Sequence, residues 1–491
     1  MNQRLPVEDV FPELGHALST GTRAVLAAPP GAGKTTRVPL FLLRQPWLDG
    51  QRIVALEPRR LAARGAAERL AAQLGEKVGE TVGYRIRGET VVGEKTRLEI
   101  VTEGVLTRML QSDPELSGIG CVVFDEVHER SINTDLGLAL CIEVQQALRP
   151  DLRLLAMSAT LDTAAFGKLL DDCPLIESAG RMFPVETRWL DRPWRASERS
   201  RPVNRHRQFI GAMEHLIREA AGIADGDILA FLPGAREIAD LTARLTDALP
   251  DLTVRPLYGA MNFKNQRAAL VPEPGGRRRI VLATSIAETS LTVPGVRIVV
   301  DSGLSRRARV DTSTALSRLI TVPVSRAEAD QRRGRAGRLA PGHCFRLWTR
   351  GEEGAMAAFP PPEIHAADLA PLALELAQWG VDSPAELQFI DAPKPEAYAA
   401  ARALISDLGA IDSGGRITPH GTRMATLPLH PRLAHMVETG RKRGLEGEAA
   451  LIAALISERD PLRGAARGNS DLRDRIAAVT GQPVQGAEDA T

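Results

Sequence analysis

The sequence APPGAGKTT at residues 28–36 decides the fold of this chain. It follows an apolar run at residues 23–28 that predicts a strand, and the residues after Lys34 predict a helix. A glycine-rich loop between a strand and a helix lets backbone N–H groups approach phosphates, and the helix N-terminus adds favourable partial charge. Lys34 would then reach the β- and γ-phosphates of a nucleotide, and Thr35 would bind Mg²⁺. A chance glycine-rich turn is the alternative interpretation.

A second charged motif, DEVH at residues 125–128, follows another apolar run at residues 121–124. Carboxylates at the C-terminal end of a parallel strand lie where ligands bind in open α/β sheets. Asp125 would hold Mg²⁺ through water, and Glu126 would orient and deprotonate an attacking water. Acidic residues also end strands as helix N-caps, which is the alternative for this tetrapeptide taken alone.

Two further motifs are less specific on their own. The tripeptide SAT at residues 158–160 follows the apolar run 152–157, and taken alone it favours a helix N-cap at Thr160 or Asp162 over a functional role. The sequence QRRGRAGR at residues 331–338 places four arginines within eight residues, which repel one another unless anions face them. Such arginines can stabilise the charge on a transferring phosphate. A solvated basic helix and a contact to a phosphate backbone are the alternatives.

Short apolar runs alternate with helical patterns around these motifs. This alternation predicts an α/β fold with parallel sheets covered on both faces. The pattern resets after a stretch rich in Arg, Pro and Ser and then repeats, so we predict two parallel-sheet domains in tandem. The first domain is predicted at residues 1–188, a linker at 189–204 and the second domain at 205–350.

After residue 350 the chain no longer alternates between strand and helix patterns, and its apolar residues follow helical spacing. A helix predicted at residues 395–408 and a small hairpin at 410–418 together suggest a winged-helix module over residues 351–427. A single helix is predicted at residues 432–457. Residues 428–491 are therefore predicted to be the start of a helical bundle with a polar tail.

The composition excludes several classes of protein. Hydrophobic residues make up 44% of the chain and charged residues 25%, which rules out a disordered or collagen-like chain. No apolar run approaches the ~18 residues that a membrane helix needs, and the N-terminus has no signal pattern. Four scattered cysteines without Cys-x-x-Cys spacing argue against a disulfide framework or a zinc site. We therefore expect a cytoplasmic protein without membrane association.

The overall charge does not itself indicate a nucleic-acid partner. The chain has 62 basic and 61 acidic residues, and only seven of the basic residues are lysines. Any surface that binds nucleic acid must therefore be local. Aromatic residues make up only 4% of the chain, so an aromatic platform for base stacking is not expected.

In this order the four motifs resemble those of the superfamily 2 helicases, specifically the DEAH/DExH-box group. The resemblance covers about residues 15–460 and is carried by further segments: EPRRLAAR at 57–64, VGYRIR at 82–87, TEGVL at 102–106, DEVHERSINTD at 125–135, FLPG at 231–234 and TSIAETSLT at 284–292. DLAPLALELAQWG at 368–380 and ISERDPL at 456–462 are similar to a bacterial subgroup. Members of that subgroup continue for several hundred residues beyond the position of Thr491.

The resemblance implies two RecA-like domains with ATP, or another nucleoside triphosphate, and Mg²⁺ bound between them. The implied metal positions are Thr35 and Asp125. The implied nucleotide-binding positions are Gly31, Ala32, Gly33, Lys34, Thr35, Thr36 and, through stacking on adenine, Arg69. The implied catalytic positions are Asp125, Glu126, His128, Gln331, Arg335 and Arg338. For Arg69, an ordinary surface arginine is the alternative.

In this scheme Arg335 and Arg338 are arginine fingers, which extend from the second domain to stabilise the charge on the transferring phosphate. Gln331 lies near the attacking water. Hydrolysis would then depend on domain closure. The resemblance further implies that single-stranded RNA or DNA crosses both domains, with movement from 3′ to 5′, and it favours RNA. The implied contact positions are Arg59, Arg60, Thr102, Gly104, Ser285 and Thr292. The implied coupling positions are Ser158 and Thr160, together with His128. Residues 306–322 would form a hairpin that separates strands.

Other functions remain open at this point. An NTP-dependent remodeller or clamp on ribonucleoprotein would carry the same motifs without unwinding a duplex. A nucleic-acid-binding scaffold with an inactive ATPase is disfavoured by the presence of Lys34, Glu126 and both finger arginines. We expect a monomer, and an activating protein partner remains open.

Overall fold

The computed structural model describes residues 4–159, 164–180, 183–194, 202–288, 293–311, 316–458, 460–462 and 468–481. The chain divides into two compact units. The first comprises Met1–Ala366 with Gln388–Ile390, and the second comprises Ala367–Leu387 with Asp391–Thr491. The first unit contains both parallel-sheet domains.

Within the described residues, the first sheet has eight strands, all parallel except for the pair β3 and β4. They are β1 (Arg23–Ala27), β2 (Arg52–Leu56), β3 (Val82–Ile86), β4 (Glu89–Val91), β5 (Leu98–Val101), β6 (Ile119–Phe124), β7 (Arg153–Ser158) and β8 (Leu175–Glu177). Their order across the sheet is β4-β3-β5-β2-β6-β7-β1-β8. Strand β6 is buried along its whole length, as expected for a sheet that is covered on both faces.

Six helices belong to the described part of this first domain. They are α1 (Phe11–Thr20), α2 (Lys34–Leu42), α3 (Arg60–Leu74), α4 (Glu103–Ser112), α5 (Ile132–Ala147) and α6 (Ala164–Leu169). Helix α3 buries mostly alanines, which lets its backbone approach its neighbours closely, and it ends at Gly75 in the left-handed region. Helix α5 begins at a capping serine, Ser131, whose side chain accepts a hydrogen bond from the Thr134 N–H.

The second sheet has six parallel strands in the described residues, in the order β11-β12-β10-β13-β16-β9. They are β9 (Val185–Trp189), β10 (Asp227–Phe231), β11 (Thr253–Leu257), β12 (Arg279–Ala283), β13 (Val296–Asp301) and β16 (Gly342–Arg346). The prediction that residues up to 188 belong to the first domain is wrong at this strand. Strand β9 pairs with β16, so residues 185–189 form an edge of the second sheet. Strand pairing depends on residues far away in sequence, which the local pattern does not contain.

Between β13 and β16 the chain forms an antiparallel hairpin, β14 (Leu304–Asp311) and β15 (Leu316–Pro323). The hairpin predicted at residues 306–322 is therefore confirmed, while its role in separating strands stays a prediction. The described helices of the second domain are α7 (Pro202–Ile223), α8 (Ala235–Ala248), α9 (Phe263–Leu270), α10 (Arg326–Gly334) and α11 (Arg350–Gly354).

The described part of the second unit is helical. It contains α12 (Ala370–Trp379), α13 (Pro395–Asp407), α14 (Pro419–Thr426), α15 (Pro431–Lys442), α16 (Glu446–Ser457) and α17 (Leu472–Val479). The hairpin predicted at residues 410–418 is reduced to one bridge between Ile411 and Ile417. The single helix predicted at residues 432–457 is two helices, because Gly444 adopts a positive φ of 72° between them.

The predicted boundary at residue 351 also differs from the structure, since the chain up to Ala366 groups with the first unit. No helix in the described part of the chain is long and apolar enough to span a membrane.

Candidate nucleotide and nucleic-acid sites

The glycine-rich loop joins β1 to α2, as the sequence predicts. Gly31 and Gly33 have φ values of 88° and 102°, a region that side chains other than glycine rarely adopt. Gly33 caps the N-terminus of α2, and the buried Lys34 Nζ donates a hydrogen bond to the Ala28 carbonyl at 2.5 Å. Burial lowers the pKa of Lys34, and the neighbouring Glu126 and Asp125 carboxylates oppose that shift. Lys34 therefore lies at the loop with both carboxylates close by.

Backbone contacts fix the remainder of this loop. The Ala32 N–H donates to Pro29 O at 3.2 Å, and the Thr36 N–H donates to Gly33 O at 3.2 Å. The chain upstream of α1 covers the loop from outside, where the Val7 N–H donates to Ala32 O at 3.1 Å. The sequence did not predict this upstream cover, since nothing in residues 4–10 marks it.

Two oxygen-bearing side chains converge beside the loop. Thr35 Oγ1, at the start of α2, donates to Asp125 Oδ2 at 2.5 Å, and Asp125 Oδ1 accepts the Glu126 N–H at 2.9 Å. Burial and the adjacent Glu126 charge raise the pKa of Asp125 to about 7, with Lys34 opposing. A hydroxyl and a carboxylate are hard oxygen ligands of the kind that Mg²⁺ prefers, so this pair fits the ion.

Glu126 has the features of a general base. It adopts a left-handed φ of 55°, which is strained for a residue with a side chain and common at functional sites. Its side chain is buried, and no described residue forms a hydrogen bond with Oε2. Burial opposes ionisation of Glu126, yet the nearby His128, Lys34 and Arg335 hold its pKa below the usual value. The result is a charged carboxylate with an oxygen available for water.

His128 connects three motifs. Its Nδ1 accepts the Ala159 N–H at 3.2 Å, so the proton of the neutral ring lies on Nε2. Nε2 lies 3.5 Å from Glu126 Oε2 and 3.1 Å from the side-chain amide of Gln331. The Gln331 atom at this distance is the amide nitrogen Nε2. Burial lowers the pKa of His128, and the Glu126 and Glu129 carboxylates oppose that shift.

The arginines of the second domain reach the same cleft. Arg335 is buried and donates from Nε to Glu288 O at 2.9 Å, and its Nη2 donates to the same carbonyl. The Arg338 side chain lies over the loop, since a Cβ added at Gly31 would be 3.7 Å from its Cδ. Burial lowers the pKa of Arg338 to about 10, and Glu126 opposes this shift. The structure thus brings both predicted fingers to the side of the cleft that carries Glu126.

Arg332 belongs to the same motif but has a different structural role. It is almost completely buried and donates to Asp301 at 2.8 Å and to Glu288 Oε2 at 3.2 Å, while its guanidinium lies 4.9 Å from the centre of the Phe231 ring. These contacts fix α10, which also carries Gln331. No signal in the sequence distinguishes this anchor from the arginine fingers, because all are arginines in one run.

A crossover segment after β8 also packs on the loop. Gly180 has a φ of 62°, and a Cβ added to it would lie 2.1 Å from Pro29 Cγ. Three residues later, the Phe183 N–H donates to Gly337 O at 2.9 Å, next to Arg338. Ordinary van der Waals packing does not allow a side chain at position 180 unless Pro29 moves.

We expect Gly180→Ala to weaken nucleotide binding. Overpacking against Pro29 costs about 1–3 kcal/mol, which corresponds to about a tenfold rise in the dissociation constant if the loop absorbs it. Titration with a fluorescent ADP analogue measures this change. Gly50→Ala is the matched control, because Gly50 has a φ of 79° but no atom within 4 Å of an added Cβ. Equal effects of both substitutions would show that only backbone strain matters.

Like the nucleotide-binding motifs, the described nucleic-acid candidates lie at the C-terminal ends of parallel strands. They follow different strands from those motifs. Arg59 and Arg60 follow β2, Thr102 and Gly104 follow β5, and Ser285 follows β12. Strands β2 and β5 are neighbours on one side of β6, while β7 and β1 are on its other side. The nucleotide and nucleic-acid candidates of the first domain therefore occupy different halves of one edge, with the DEVH motif between them.

Arg59 bridges the two domains. Its Nη1 donates to Ser285 O at 2.8 Å and its Nη2 donates to Glu129 Oε1 at 2.9 Å. Burial opposes its charge, but Glu129 and Glu288 raise the pKa of Arg59. Its contact with a phosphate stays a prediction, and it requires a rearrangement of these two bonds. The sequence did not point to Glu129 as the partner.

The positions of the remaining predicted site residues are less informative about their roles. Arg60 and Gly104 are exposed, and Thr102 occupies the N-cap position of α4. Arg69 is exposed on α3 and donates to Gly65 O at 3.1 Å, so its adenine contact stays a prediction. Ser158 is buried at the end of β7, where its carbonyl accepts the Ala28 N–H. Thr160 and Thr292 lie outside the described residues.

Two parallel sheets with a phosphate loop and carboxylates on one, and facing arginines on the other, define a tandem RecA-like nucleotide-binding protein. Residues 11–166 match the model of the DEAD/DEAH box helicase domain, and residues 211–340 match that of the helicase conserved C-terminal domain. The chain belongs to the DEAD/DEAH box helicases, and the predicted RecA-like fold is confirmed.

Named relatives agree with this assignment. The chain is 47% identical to the ATP-dependent RNA helicase HrpB of Escherichia coli over 98% of this chain and 57% of that protein. It is 35% identical to the ATP-dependent RNA helicase HrpA of E. coli over 93% of this chain and 35% of that protein. The crystal structure of E. coli DEAH/RHA helicase HrpB matches with a TM-score of 0.85 and 46% identity, over 95% of this chain and 59% of that one. The chain thus spans little more than half the length of HrpB.

Proposed function

We propose that this chain hydrolyses ATP, or another nucleoside triphosphate, between its RecA-like domains and couples hydrolysis to movement along single-stranded RNA from 3′ to 5′. The observation that carries the proposal is the contact chain from Glu126 through His128 to Gln331. It joins the base of one domain to a polar group of the other, so the site is complete only when the cleft is closed.

The residues of the cleft divide the chemistry between them. Backbone N–H groups of the loop and Lys34 bind the phosphates, and Thr35 and Asp125 hold Mg²⁺. The ion, when bound, neutralises charge that develops on the phosphate oxygens. Glu126 orients water and accepts its proton, with His128 and Gln331 fixing the carboxylate and the water.

The arrangement of the candidate residues along the C-terminal ends of the first sheet's strands supports the proposed coupling to RNA. The candidate nucleic-acid positions and the nucleotide positions are separated by β6, whose C-terminal end carries Asp125 and Glu126. Glu129, close by, holds Arg59 against the second domain. A phosphate that drew Arg59 away from Ser285 would alter the contact between domains and so the position of the catalytic groups. HrpB and HrpA of E. coli are both ATP-dependent RNA helicases by name, which favours RNA as the nucleic acid.

The test is steady-state ATP hydrolysis with and without single-stranded RNA and single-stranded DNA. We expect RNA to increase turnover about tenfold, because it favours the closed cleft in which both halves of the site meet. The ratio of RNA to DNA stimulation measures the preference between them. Hydrolysis that neither nucleic acid changes would contradict the coupled motor.

A duplex with a 3′ single-stranded overhang separates the two forms of the proposal. Unwinding supports a helicase, while stimulated hydrolysis without unwinding supports a remodeller or clamp. Absence of hydrolysis under all conditions would leave a nucleic-acid-binding scaffold as the function.

A further inference from the structure

Residues 357–363, with the sequence AAFPPPE, run between two helices that adjoin the catalytic motifs, and we call this segment the strut. One end of the strut meets the N-terminus of α10. The Arg326 N–H donates to Ala357 O at 2.9 Å, and the Ala327 N–H donates to Ala358 O at 3.0 Å. Two of the N–H groups that a helix leaves without internal partners are thereby satisfied.

The other end of the strut meets the N-terminus of α5. Glu363 Oε2 accepts the Ile132 N–H at 2.9 Å, and the Glu363 N–H donates to Arg130 O at 3.1 Å. Ile132 is the first residue of α5, so the Glu363 carboxylate lies at the positive end of that helix. Glu363 is therefore fixed to the first domain by its side chain and by its backbone.

The middle of the strut is stiff. It contains three consecutive prolines, at positions 360–362, and the last of them has φ −54° and ψ 139°. These angles belong to the polyproline II conformation, which extends by about 3.1 Å per residue and bends little. A chain of this kind holds its two ends at a nearly constant separation.

The two ends lie beside the two halves of the active site. Helix α10 carries Gln331 and leads into Arg335, whereas α5 begins just after the DEVH motif. We propose that the strut sets the separation of the two domains in the closed cleft, where Gln331 reaches His128, and that Glu363 is the positioning residue that anchors the strut in that state. This inference rests on the proposed function, and it adds a mechanical link that the helicase motifs do not contain.

The first test replaces the three prolines 360–362 with glycine. The flexible variant is expected to lower kcat about tenfold, because misplacement of catalytic groups is costly, while the dissociation constant for a fluorescent ADP analogue stays within about twofold. The nucleotide loop lies in the first domain and does not depend on the strut. The matched control replaces three exposed prolines remote from the strut, Pro150, Pro250 and Pro274, with glycine.

The second test addresses Glu363 alone. Glu363→Ala removes the acceptor for the Ile132 N–H and is expected to lower kcat about fivefold, whereas Glu363→Gln retains an acceptor oxygen and restores most of it. A role limited to stability would lower the melting temperature of both variants without separating kcat from nucleotide affinity.

A distance measurement makes the inference independent of activity. Spin labels at Ser112→Cys in the first domain and Thr246→Cys in the second, both exposed, report the separation of the domains. The native Cys121, Cys141 and Cys344 are buried, so only Cys173 needs replacement by serine. We expect a broader distance distribution in the glycine variant than in its control. Equal distributions and equal kcat values would overturn the strut, while loss of RNA stimulation in the unmodified chain would overturn the proposed function instead.

Discussion

Replacing Glu126 with glutamine is expected to reduce ATP turnover by about 10²–10⁴-fold, the usual contribution of a general base. The amide has the same shape as the carboxylate but cannot accept a proton from water. Nucleotide affinity should be retained, because the phosphates are bound by the loop and by Lys34 rather than by Glu126. The kcat for hydrolysis and the dissociation constant for a fluorescent ATP analogue separate these two effects.

The electrostatics of the cleft support the same expectation. Lys34 and Arg335 lie close enough to Glu126 to lower its pKa, so removing its negative charge leaves an excess of positive charge. That excess favours an anionic nucleotide. Burial and the Glu126 charge together raise the pKa of Asp125, so neutralising Glu126 removes one of these two causes and moves the Asp125 pKa towards its ordinary value. Both changes favour bound nucleotide and bound metal ion in the variant.

Glu115→Gln is the matched control for this substitution, since Glu115 is an exposed acidic residue in the loop after α4. It should hydrolyse ATP like the unmodified chain. A Glu126→Gln variant that kept more than about a tenth of the turnover would exclude Glu126 as the base. His128 would then be the next residue to examine, although its Nδ1 is occupied by the Ala159 N–H.

The strands and the nucleotide loop could be predicted from the sequence because their signals are local. The apolar run before APPGAGKTT is β1, and the apolar run before DEVH is the buried strand β6. Glycine at positions 31 and 33 provides the positive φ values that the loop needs. Each of these features depends on residues within about ten positions of one another.

The partners of those elements could not be predicted, because they lie far apart in sequence. The sequence pattern assigns β9 to the end of the first domain, yet β9 forms hydrogen bonds with β16, over 150 residues later in the chain. Arg332 and Arg335 belong to one motif, but the burial of Arg332 against Asp301 makes it an anchor. Glu363 lies outside every motif and still caps α5. Three-dimensional packing decides each of these roles.

Changing Arg335 to lysine is expected to lower kcat by about 10³-fold, near the lower end of the contribution of an arginine finger. Lysine keeps the positive charge but lacks the planar fork with which arginine holds a phosphate and a carbonyl together. In the structure Arg335 donates from two nitrogens to Glu288 O, which aims the guanidinium from the second domain into the cleft. A lysine ammonium cannot make both contacts and reach a phosphate. Single-turnover hydrolysis at saturating ATP measures the loss.

Arg333→Lys provides the control on the same helix, because Arg333 is partly exposed and pairs with Asp330 at the surface. Its turnover should equal that of the unmodified chain. The double variant Glu126→Gln with Arg335→Lys sharpens the test, since residues that act in one transition state lose rate non-additively. The double variant should hydrolyse ATP hardly more slowly than Glu126→Gln alone. Fully additive losses would mean that Arg335 supports hydrolysis without acting on the same step, as a contact that closes the cleft would do.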